Sequence, residues 1–218
     1  MRLSAVILAR TVAFLQIEDL NPRNRVSLID FARAFSQQYK FFKSPQALED
    51  LDLQKGIEFV SGKLGETNIE RFMMFSQGIV VDTKSSTDDS DKILQDALRW
   101  TANLVGQDSP VQIVRKSYMS QLTFYSDLSL PVIHPIFREL ASRITGGILE
   151  NMRRKFEYEL FSINLHCEML PSTYSPGPFT IERRQDVPFS ENKYFSTAPL
   201  PTNQHLSLLE EFEAALKS

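Results

Sequence analysis

Three consecutive residues, His166-Cys167-Glu168, carry the side chains most able to bind a metal. His-x-Glu also begins the zinc-deaminase signature, whose second part needs a pair of cysteines. The chain has one cysteine, so that chemistry is excluded. A three-histidine site would need His134, His166 and His205 to meet in space. The bland alternative is three ordinary histidines, with Cys167 as a small apolar residue. No metal and no cofactor is expected.

Other reactive patterns each lack a member. Gly56 to Leu64 has a glycine, a later Gly-Lys and an apolar run, but the spacing is one residue too long for a phosphate loop. Leu64 stands where a hydroxyl must reach Mg²⁺. No three-glycine dinucleotide fingerprint exists, and only 8 of 218 residues are glycine. Met74-Phe75-Ser76-Gln77-Gly78 has methionine where a nucleophile elbow needs its first small residue. Asp82, Asp88, Asp89 and Asp91 offer oxygen ligands, without the turn glycine or closing glutamate of a calcium loop. No catalytic residues are assigned.

Two basic clusters lie beside aromatic residues. They are Arg153-Arg154-Lys155, near Phe156 and Tyr158, and Arg183-Arg184, near Phe179 and Phe189. That pairing suits single-stranded nucleic acid. Glu150, Glu157, Glu159, Glu182 and Asp186 surround both clusters and would repel a phosphate chain. The segment 186–201 is bounded by prolines and carries Phe189, Tyr194 and Phe195, which either plug the core or present a contact surface.

The elements that must position these residues follow from hydrophobic period and breakers. Residues 3–18 alternate, with β-branched residues scattered through them, which favours a long strand; a helix is the competing reading, because Ala and Leu are also common there. Ser27 caps a helix over 27–38, and Ser44-Pro45 opens a short second one. Strands are predicted at 56–63, 68–76 and 78–84, with a tight hairpin at Gln77-Gly78. The polar run 85–91 leads into a helix over 91–104 with Gly106 at its C-terminus. The second half predicts a strand at 111–126, a helix from Pro135 to Gly146-Gly147, and a short helical piece at 148–154. Strands follow at 156–169 and 178–184. The 186–201 segment is expected to be irregular, and Thr202 is expected to cap a closing helix.

This order predicts an α+β chain: a mainly antiparallel sheet of long strands with helices packed on one face. We expect a single compact domain over 1–218, with two pseudo-repeated strand-helix-strands-helix halves, 1–106 and 107–218. The order resembles that of the TATA-binding-protein and helix-grip folds. This is a likeness of element order that carries no motif and transfers no function.

Composition agrees with a folded domain: 42% hydrophobic, 23% charged and 16 phenylalanines. The formal charge is −3. Residues 1–106 hold 13 basic and 14 acidic side chains, and 107–218 hold 11 and 13. Neither half has the basic balance of a duplex binder. A lone cysteine implies no intrachain disulfide, and no apolar run reaches 18 residues. A cytoplasmic protein without membrane contact is expected.

The functional expectation is therefore a non-catalytic binding or assembly protein. Its partner is another protein, met through a sheet face or the 186–201 loop. The candidate contact residues are Phe189, Tyr194, Phe195, Arg153, Arg154, Lys155, Arg183 and Arg184. The alternatives are an apolar small-molecule cavity with hydrolytic activity and, more weakly, nucleic-acid binding through the basic-aromatic clusters.

Overall fold

The structure is a computed structural model. It describes residues 1–133, 135–153, 156, 158–168 and 175–217. Among the described residues, eight strands and four α-helices make the chain α+β, and the pairings of known register are antiparallel. The chain divides into two compact units, one holding residues 6–121 and 199–203, the other 1–5, 122–198 and 204–218.

In the first unit the strand order is β2-β3-β4-β1-β5, with β1 at Arg2–Phe14, β2 at Ile57–Leu64, β3 at Thr67–Phe75, β4 at Gly78–Thr83 and β5 at Arg115–Tyr125. β1 and β5 each run through both units. Opposite residues share a face, so the rows read Thr11–Val81–Phe72–Phe59 on one side and Arg10–Asp82–Arg71 on the other. The first side is buried beneath α1 (Leu28–Gln38) and α2 (Thr87–Val105). α1 supplies Phe31, Ala32 and Phe35. α2 supplies Ile93, Leu94, Ala97 and Leu98. Rings of Phe31, Tyr39, Phe41, Phe59, Phe72 and Trp100 surround Phe35 with centroids between 4.8 and 5.7 Å.

Local chemistry fixes these elements. Ser27 accepts the Asp30 N–H at 3.1 Å, and Ser86 accepts the Asp89 N–H at 3.1 Å. Gly106 ends α2 in the left-handed region at φ 67°. The β3–β4 hairpin turns before Gly78, where a Cβ would lie 2.3 Å from the Ala13 carbonyl oxygen, so only glycine fits.

In the second unit the order is β1-β5-β8-β7-β6, with β6 at Ser162–Leu165, β7 at Phe179–Arg183 and β8 at Lys193–Ala198. α3 spans Pro135–Met152 and α4 spans Thr202–Ala215. Tyr194, Ser196 and Ala198 of β8 point inward.

Several element expectations need correction. No α-helix starts at Ser44-Pro45; a single 3-10 turn forms at Leu48–Asp50. The polar run at 87–91 is the first turn of α2 rather than a loop before it, because Ser86 is the cap and acidic residues suit a helix N-terminus. α3 continues through Gly146-Gly147 as one helix. The strand predicted at 156–169 shrinks to β6; Glu157 and Met169 of that range lie outside the described residues. The segment 186–201 contains β8, whose period of two is hidden in the sequence by Ser, Thr and Ala. Thr202 is the first residue of α4.

Candidate binding surface

The second unit contains a pair that resembles a nucleophile and its base. Ser196 on β8 and His205 on α4 lie 2.8 Å apart, Oγ to Nε2, and both are fully buried. The Ser196 hydroxyl already donates to the Thr180 carbonyl at 2.7 Å. Its single proton is used, so it accepts from His205 Nε2–H. A base must instead accept the serine proton. Burial pushes the His205 pKa down to about 4, so the ring is neutral at pH 7. The pair is a core hydrogen bond that ties α4 to β8. Sequence reading missed it because the two residues are nine positions apart across two elements.

Nearby, Arg183 is buried. Its guanidinium donates to the Phe189 carbonyl at 2.8 Å, Ser129 Oγ at 2.6 Å and Glu159 at 2.6 Å. It also stacks over the rings of Phe189 and Tyr194. Arg184 pairs with Asp186 at 2.8 Å. Neither arginine therefore offers an unpaired charge to a phosphate. Tyr194 is buried, with its hydroxyl accepting the Leu130 N–H. Phe189 is partly exposed and Phe195 half-buried. Arg153 is exposed, whereas Arg154 and Lys155 lie outside the described residues.

Glu213 on α4 is a second buried carboxylate. Burial alone would raise its pKa. The α-amino group of Met1, Ser126 Oγ and the Asp127 N–H all bond to it and hold it down to about 2. Hydrogen bonds engage both of its oxygens, which suits packing rather than proton transfer.

In the first unit, Asp82 lies on the sheet side away from the helices and is almost fully buried. Arg10 donates Nε and Nη2 to its two oxygens at 2.7 and 2.9 Å, and Arg71 donates Nε at 3.0 Å. A carboxylate already neutralised by two arginines gains little from a cation, which both guanidiniums would repel. Asp88 and Asp89 sit in the first turn of α2, and Asp91 bonds to Lys116 and Tyr118. Among the described residues no group of three or more His, Cys, Asp or Glu could hold a metal ion. His166, Cys167 and Glu168 are exposed, and His134 lies outside the described residues. Gly62 and Lys63 belong to β2, which leaves no backbone cradle for phosphate.

α3 exposes much of its apolar surface. Leu140 is 54% exposed, Ile144 39% and Met152 64%. Ile136, Phe137 and Leu149 are exposed as well. Ile136, Leu140 and Ile144 recur every four residues, so they line one side of the helix. Gly146 and Gly147 have nothing within 4 Å of a Cβ built on them, so the neighbouring space is open. Glu139 pairs with Arg143 on the polar side. An amphipathic helix ordinarily turns its apolar stripe into the core. This one shows its stripe to solvent. The spacing was legible in the sequence; its exposure was not.

No protein-family model matches this chain, and no curated protein matches it. Among solved structures, Methanococcus jannaschii TBP aligns with a TM-score of 0.44 and 10% identity, covering 100% of this chain and 99% of that chain. A likeness at that level says nothing about what this chain binds. No described helix is long and apolar enough to cross a membrane.

Proposed function

We propose that this is a non-catalytic binding protein that engages another protein through the apolar side of α3. The carrying observation is the solvent exposure of Leu140, Ile144 and Met152 on one 18-residue helix. Large exposed apolar surface of this kind marks interaction sites. An amphipathic helix is read by a partner with an apolar groove, which takes anchors at spacings of three and four. The reading gains support from the chemistry elsewhere: Ser196, His205, Glu213, Asp82, Arg183 and Arg184 are engaged in internal hydrogen bonds or ion pairs.

The contact surface thus moves from the 186–201 segment, where Tyr194 is packed inward, to α3. The test is co-purification from the native cell with the wild-type chain and with the double variant Leu140→Asp, Ile144→Asp. Loss of the co-purifying protein, with unchanged circular dichroism and melting temperature, is the expected result. A double variant that melts earlier by more than a few degrees, or that keeps its partner, overturns the reading.

A further inference from the structure

The first unit contains a hollow of about 470 Å³ that opens to solvent. Its walls come from the 3-10 turns at 17–24, the start of α1, Leu53, Met74 of β3 and Thr101 of α2. We propose that this hollow binds an uncharged, mainly hydrocarbon small molecule. The inference is independent of the role given to α3, which lies in the other unit.

The size falls in the range of small-molecule sites. Ile17, Leu20, Leu28, Phe31, Leu53 and Met74 make most of the lining apolar. Two of the polar lining groups, Asn21 and Ser27, are committed. Asn21 donates Nδ2 to the Val26 carbonyl at 2.6 Å and accepts the Val26 N–H at 3.2 Å, which closes the turn that forms one wall. The Ser27 hydroxyl donates to Asp30 at 2.6 Å and accepts its N–H. A ligand rich in hydrogen-bonding groups would meet too few partners on this lining to replace all the water it loses.

Charge narrows the class further. Glu18, an acidic residue, is part of the lining. Its charge disfavours an anionic head group, so a fatty acid is a poor occupant. A neutral chain or ring carrying at most one hydroxyl is the fitting class. Thr101, on the α2 wall, is the lining hydroxyl that such a group can meet.

The test is thermal unfolding of the intact chain with 1-octanol or octanoate at equal free concentration. Octanol at tenfold over its dissociation constant is expected to raise the melting temperature by about 3 °C, and octanoate by less than a third of that. Met74→Trp fills the hollow and is expected to abolish the octanol shift. Should that variant not fold, Leu53→Trp, on the loop wall, does the same without touching a strand. No shift with octanol, an equal shift with octanoate, or a shift that survives the cavity-filling substitution overturns the proposal.

Discussion

α2 and α3 are nearly the same length, 19 and 18 residues, and both carry an apolar stripe. α2 buries Ile93, Leu94, Ala97 and Leu98 against the strands of the first unit. α3 leaves Leu140, Ile144 and Met152 in water. Hydrophobic period therefore identifies a helix without saying what its stripe is for. The same pattern builds the core in one unit and offers a surface in the other. Substitutions should separate these uses by magnitude.

The largest effect is expected at Phe35, which is buried among the rings that α1 and α2 press onto the sheet. Phe35→Ala should cost about 3–5 kcal/mol in urea unfolding, through lost burial and the cavity left behind. A loss below 1 kcal/mol would mean that the first unit is not held by this cluster.

Next comes Asp82. Asp82→Ala leaves Arg10 and Arg71 facing each other without the carboxylate between them. Both arginines keep some contact with water, so a loss of about 2 kcal/mol is expected rather than the full cost of an isolated buried charge. Asp82→Ala in an Arg10→Met background should cost less than Asp82→Ala alone, and a double-mutant cycle measures that difference.

His205 gives a pH signature in the second unit. Its folded pKa of about 4 lies below the ordinary value of 6.5. Between pH 6.5 and 4 the unfolded chain takes up a proton that the folded chain refuses. Stability from this group is complete above pH 6.5. It falls by about 1 kcal/mol per pH unit as pH drops toward 4. Urea unfolding at pH 7, 6 and 5 should show that slope, and His205→Gln should flatten it. An unchanged slope in the variant assigns the pH dependence elsewhere.

The smallest effect is expected on α3. Leu140→Ala should change stability by less than about 0.5 kcal/mol, because the side chain is already in water. A loss comparable to that of Phe35→Ala would erase the contrast between the two helices.

Much of the first unit was legible from residue order. Alternation marked β1, Gln77-Gly78 marked the hairpin, and Ser27 and Gly106 marked helix ends, because each is a local effect of backbone sterics or capping. The sequence concealed elements whose signal is non-local. β8 follows Tyr194 and Phe195 with Ser, Thr and Ala, whose short or polar side chains hide the inward alternation of Tyr194, Ser196 and Ala198. Gly146-Gly147 looked like a helix end, yet α3 runs through both because two glycines weaken a helix without breaking it. The candidate surface was half legible. The spacing of Ile136, Leu140 and Ile144 is in the sequence, but only the structure shows that no described residue covers Leu140 and Ile144 fully. Asp82 and His205 were visible as residue types, while their partners on other elements were not.

Photo-crosslinking in the native cell tests the central claim most directly. A photoreactive phenylalanine analogue is placed at Leu140 on α3 in one chain and at Arg99, exposed on α2, in another. A discrete cross-linked protein from the Leu140 position, absent from the Arg99 position, is the predicted result. No adduct at Leu140, or the same adducts from both positions, would contradict the account.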